Sequence, residues 1–187
     1  MGAGHDERLI QLPIPAGRPT TLRAVSTPLT IYPPPRSSVR ELPYLDSTLR
    51  LHPQPGRTRA HRRGERLFVP AIDPRPAIER FYRRSARTEI AARLDHATAL
   101  AGVRYRDLSI RGQRTRWASC SSNGHMSFNW RLLLAPESVL DYVVWHEVCH
   151  LEILDHSRRF WALVERRWPR YREDRDWLRR HGATLAL

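Results

Sequence analysis

From residue 73 onward, apolar positions recur with the period of a helix. Ile78, Phe81, Tyr82, Ile90, Leu94, Ala97 and Ala101 follow that spacing until Gly102, a residue suited to the left-handed turn after a helix. Asp73 stands where it can cap this helix, and Pro74 and Pro76 fall in a first turn that has little use for their missing amide protons. The pattern then becomes that of short strands: Arg106–Ile110, a turn at Gly112, Gln113–Ser119, the turn residues Ser121-Ser-Asn-Gly124, and His125–Leu133. Helical spacing resumes after Pro136, where Leu140, Val144, Val148 and Leu151 form an apolar stripe. A further helix starts after Ser157 and buries Phe160, Trp161, Val164 and Trp168 before Pro169. The last, about Arg170–His181, ends on Gly182, with Arg179, Arg180 and His181 complementing its C-terminal dipole. Helix, short antiparallel strands, then helices predict an α+β domain over residues 73–187.

Before residue 73 the periodicity fails. Thirteen of the 15 prolines lie in residues 1–76, and segments such as Tyr32–Arg36 and His52–Gly56 favour extended or polyproline backbone. Residues 1–72 therefore read as a proline- and arginine-rich extension, largely irregular, with Ser47–Leu51 and Arg66–Val69 as candidate edge strands.

At 187 residues and 41% hydrophobic, the chain is long and apolar enough for a real core. Its longest apolar runs, Leu132–Ala135 and Tyr142–Trp145, are too short to span a bilayer, and residues 1–17 do not read as a secretory signal. Two cysteines exclude a multi-bridge disulfide scaffold. The expectation is a soluble cytoplasmic protein with no membrane partner. All 32 basic residues are arginine against 19 acids, a net charge of +13. Arginine without lysine reads as codon bias of a GC-rich genome. The net excess is not explained that way and favours contact with polyanions, which makes nucleic acid a candidate partner. The run Arg57–Arg66 is either a solvated basic linker or a phosphate-contacting arm.

The chemistry concentrates in Trp145-His-Glu-Val-Cys-His-Leu-Glu-Ile-Leu-Asp-His156. His146 and His150, four residues apart, project from one helix face about one turn apart. Two neutral imidazoles so placed can hold one zinc ion at about 2.0–2.1 Å. Glu147 stands beside the pair, where the general base for a metal-activated water belongs. His156 lies beyond the expected helix end at Ile153–Asp155, where the chain can fold back to supply a third ligand. Three protein ligands leave a fourth position open, the arrangement of a catalytic zinc site. Cys149 reads as a small buried residue rather than a ligand, and His96, His125 and His181 lack spaced partners.

The chain resembles the YgjP-like metallopeptidases, relatives of the SprT-like and WLM-type zinc proteases. The resemblance rests on Thr115–Gly124, Ser127–Leu132, Leu140–Leu151, His156–Trp161 and Trp168–Tyr171, and so spans about residues 75–181. It implies a compact zincin-like domain with a small sheet flanking the active-site helix. It also implies His146, His150 and His156 as zinc ligands and Glu147 as the catalytic carboxylate. Ala118 stands where such proteins usually have glycine, and Asp155 where asparagine commonly precedes the third histidine.

The function expected is a zinc-dependent metallopeptidase that hydrolyses peptide bonds through a zinc-activated water, with a protein or peptide as substrate. Tyr171, His125 and Arg116 are the candidates for a second donor to the developing oxyanion. Gln113–Ser119 or His125–Arg131 could hold an extended substrate, whereas Trp117 and Trp130 read as core. The alternatives are a nucleic-acid-associated module, to which a protease acting on DNA-bound proteins belongs by likeness, and a structural zinc domain. The last leaves Glu147 without a purpose.

Overall fold

The computed structural model describes residues 9–13 and 41–187; the polyproline reading of Tyr32–Arg36 lies outside them. Strand β1 (Leu9–Pro13) is followed by β2 (Glu41–Tyr44), β3 (Ser47–Gln54), β4 (His61–Arg63) and β5 (Arg66–Pro70). Residues 41–70, expected to be largely irregular, instead form a four-stranded sheet in the order β2-β3-β5-β4, and the two strands expected at its edges occupy its centre. Its prolines sit where a missing N–H does no harm. Pro43 is on edge strand β2, Pro53 lies past the residues of β3 that β2 pairs (Ser47–Arg50), and Pro70 ends β5. Leu42, Tyr44, Leu49, Leu67 and Val69 from this sheet are buried in the same hydrophobic core as the later elements.

Helix α1 (Arg75–Ala101) ends as expected on Gly102, at φ 69°, whose N–H bonds Ala99 O. Its start differs: Asp73 adopts a left-handed φ of 44°, Pro74 occupies the cap position, and no side chain caps the helix. Three strands follow, β6 (Asp107–Arg111), β7 (Arg116–Ser121) and β8 (His125–Asn129), and β1 joins them in the order β1-β7-β8-β6. The small antiparallel sheet of the sequence reading is thus a mixed one. Because β1 covers the far side of β7, β6 adds to the free edge of β8, where its direction makes it parallel. The strand expected to run to Leu133 stops at Asn129, whose side-chain oxygen accepts the Arg131 N–H (3.1 Å) and starts a 3₁₀ turn over Trp130–Leu134.

Helices α2 (Glu137–His150), α3 (Arg158–Arg167) and α4 (Tyr171–His181) complete the fold. The apolar stripe predicted for α2 understates its burial. Tyr142 and Val143 are also buried, as is His146–His150 throughout, because α1, α3, α4 and β7 pack around it. No side chain of its own N-terminus caps α2; Asp46, in the β2–β3 turn, accepts the Glu137 N–H instead (2.9 Å). A carboxylate at a helix N-terminus satisfies an orphan donor and suits the dipole. Replacing Asp46 by alanine should therefore cost about 1 kcal/mol, read as a lowered thermal midpoint. Two further ties hold this layer together. Tyr82 of α1 donates to Pro43 O (2.5 Å), and Arg93 of α1 pairs with Glu89 (2.6 Å), Asp141 (2.9 Å) and Glu137. Gly182, past α4, serves close approach rather than a left-handed turn: a Cβ there would lie 2.8 Å from the Trp117 ring. No helix among the described residues is long and apolar enough to cross a membrane.

Candidate metal centre

The end of α2 sets the site. Leu151 N–H bonds Val148 O and Ile153 N–H bonds Cys149 O, so the chain turns off the helix directly after His150. Asp155 then accepts the Ser157 N–H (2.9 Å), and Ser157 Oγ accepts the Phe160 N–H (3.4 Å) to cap α3. Between these two fixed points His156 folds back towards α2. Its Nε2 lies 3.1 Å from that of His146 and 3.2 Å from that of His150, and the latter two are also 3.2 Å apart. Three nitrogens at about 2.0–2.1 Å from one tetrahedral ion stand about 3.3 Å from one another, so this triangle is close to the size a metal requires.

Protonation points the same way. Burial, then the neighbouring His150 and His156, push His146 well below the ordinary imidazole range. Burial brings His150 down to about 4, and burial followed by the charge of Arg175 lowers His156. Neutral imidazole is the form that binds metal. His150 Nδ1 faces Ile153 O at 3.0 Å, which places the proton on Nδ1 and the lone pair on Nε2, towards the other two rings. Among the described residues, His146, His150 and His156 form the one His/Cys/Asp/Glu cluster with the geometry to hold a metal ion.

Glu147 is fully buried, and neither carboxylate oxygen has a hydrogen-bond partner. Burial therefore pushes its carboxyl well above the usual range. A carboxylate kept from water and from donors binds a proton more strongly, which a base working near neutral pH requires.

A wall of rings surrounds the triad. Phe160 stacks on His150 (4.3 Å between centroids, 18°), and Trp161 stacks on His156 (5.7 Å, 25°). Tyr171 stacks on Trp161 in turn (5.5 Å, 21°), and the Arg175 guanidinium lies 4.6 Å over the same indole. Of the three nominated donors, Tyr171 is thus the one that joins the ring wall, through Trp161. His125 is taken up by Asp107 (2.7 Å) at the start of β8, and Arg116 opens β7. Trp117 and Trp130 are core, each 1% exposed. Gln113–Ser119 and His125–Arg131 were the candidate substrate strands; β7 lies between β1 and β8, and β8 between β7 and β6, so neither is an edge. Cys120 and Cys149 are free buried thiols, pushed by burial up to about 12 and about 11, so neither is a thiolate near neutral pH.

Sequence reading missed Tyr142 and Arg175. Tyr142 lies edge-on to His146 (5.9 Å), and the spacing of four to His146 was its available signal. Arg175 follows Tyr171 by four on α4, but its approach to the site depends on how α4 packs on α2.

The family described as YgjP-like, metallopeptidase domain, matches residues 32–181. No curated protein and no solved structure matches the chain. A match of that extent, over a core holding the three-histidine cluster, shows that the chain belongs to the YgjP-like metallopeptidase family.

Proposed function

We propose that the protein is a zinc-dependent peptidase of zincin-like architecture, with His146, His150 and His156 as metal ligands and Glu147 as general base. The observation that carries this reading is the converging triangle of Nε2 atoms, with a buried, unpartnered carboxyl on the residue that follows its first histidine. Imidazole donors suit several transition metals, and three ligands with an open position favour zinc in a hydrolase. When bound, the ion supplies Lewis-acid activation of water and of a carbonyl.

The chain's own groups do the rest. Glu147 takes the proton from the attacking water and delivers it to the amide nitrogen that leaves. Phe160 and Trp161 exclude water and fix the rings of His150 and His156. Arg175, whose charge acts on His146 and His156, offsets the negative charge that develops on the substrate carbonyl, and Tyr171 fixes the Trp161 ring beside it.

Incubating an unfolded protein with the zinc-loaded chain should generate new N-termini, detected by mass spectrometry and abolished by a chelator. Intact substrate after prolonged incubation with fully loaded protein would sink the reading. Association with nucleic acid is a second proposal, different in class, favoured by arginines of α1 and of the β3–β4 connection that have no acidic partner among the described residues.

A further inference from the structure

The fold does not treat its arginines alike. Arg50, Arg83, Arg93, Arg167 and Arg172 each face a carboxylate. Arg57, Arg59, Arg80 and Arg84 have no such partner among the described residues, and with His61 and Thr58 they line one concavity of about 820 Å³ that no acid lines. Arg80 and Arg84, one turn apart, share a face of α1, where like charges repel. That face is met by Arg57 and Arg59 of the β3–β4 connection, a segment turned by Gly56 at φ 73°.

Two of the four arginines are held in place by the fold. Arg57 Nε donates to Gln54 Oε1 (2.8 Å) and its guanidinium lies over the Phe68 ring (5.8 Å). Arg84 reaches Ala60 O (3.5 Å), which ties the connection to α1. A second basin of about 400 Å³ adjoins the first, so that Arg57, Thr58 and Arg59 line both, with Gln54, Pro55 and Gly56 on its far side. Four guanidiniums lining one concavity with no acid among them repel one another, and an anion seated there offsets that repulsion. Guanidinium forks match phosphate oxygens in pairs, and two adjoining basins suit successive phosphates of a polymer better than one small ion.

We propose that this concavity binds the phosphate backbone of nucleic acid. The proposal deepens the nucleic-acid reading above and is independent of hydrolysis.

The test is fluorescence anisotropy of a labelled oligothymidylate with the full chain across a salt series. The triple variant Arg59→Gln, Arg80→Gln, Arg84→Gln is set against Arg104→Gln, Arg106→Gln, Arg111→Gln, which carries the same change in net charge; all six arginines are exposed. If each lost arginine removes one phosphate contact, the slope of log K against log salt falls by about 2 for the first variant, with a loss of affinity on the order of 100-fold near 0.1 M salt. The second variant should bind nearly as wild type. Thermal unfolding of the first variant should be little changed, since relief of self-repulsion offsets loss of the long Arg84 contact with Ala60 O. Equal losses in both variants would reduce the effect to net charge and overturn the site. No binding by wild type at low salt would overturn the nucleic-acid reading itself. Complete displacement by millimolar inorganic phosphate would assign the concavity to a free anion, and equal binding of polyglutamate would assign it to an acidic protein; either overturns the proposal.

Discussion

Glu147→Gln should leave zinc bound at full stoichiometry and lower peptide hydrolysis by about 10²–10⁴-fold, the usual worth of a positioned base. The substitution keeps shape and volume in a place where both matter, because the residue is 0% exposed. It also breaks no hydrogen bond within the protein, since neither carboxylate oxygen has a partner. A neutral amide is easier to bury than a carboxylate, so the metal-free variant should be no less stable than wild type. Elemental analysis of the purified variant and a mass-spectrometric time course on an unfolded substrate separate the two effects. Retained activity would remove Glu147 from the chemistry. Lost metal would make its role structural.

His146→Ala should abolish metal binding, and with it the stabilisation that the metal confers. An ion present at about a thousandfold over its Kd contributes about 4 kcal/mol to the folded state, which for a chain of this size raises the thermal midpoint by about 8–16 °C. Wild type should show that shift on zinc addition and lose it with a chelator; the variant should show neither. His146 is packed against Tyr142, His150, His156, Phe160 and Trp161, so alanine also opens a cavity and weakens the metal-free fold. His146→Gln, closer in volume, separates loss of the ligand from loss of packing. A zinc-induced shift that survives in both variants would refute the assignment.

The site was readable in the sequence because its parts are local. His146 and His150 lie on one helix face by spacing alone, and the turn that returns His156 is written in the Asp155 and Ser157 caps. The ends of α1 and α4 were legible for the same reason, although Gly182 turned out to serve the Trp117 ring. The sheet over residues 41–70 was hidden by its prolines. Their number argues against strands, and only pairing register shows that Pro43, Pro53 and Pro70 avoid the positions where an N–H is needed. The burial of α2 on nearly all sides, and the approach of Arg175 to Trp161, arise from packing between elements distant in sequence, which periodicity does not encode.

The pairing of β1 with β7 bears on what counts as a minimal unit. Leu9–Pro13 runs antiparallel to Arg116–Ser121, yet it precedes the family-matched residues 32–181. A fragment cut to those residues would keep the histidine cluster, the helix that carries it and the Asp46 cap, and still would not be the same molecule. One side of β7 would present unpaired N–H and C=O groups along a strand packed on α2, an open template for any extended chain. Self-association of such a fragment, or a peptide seated along that strand, would report the exposed edge rather than a property of the intact protein.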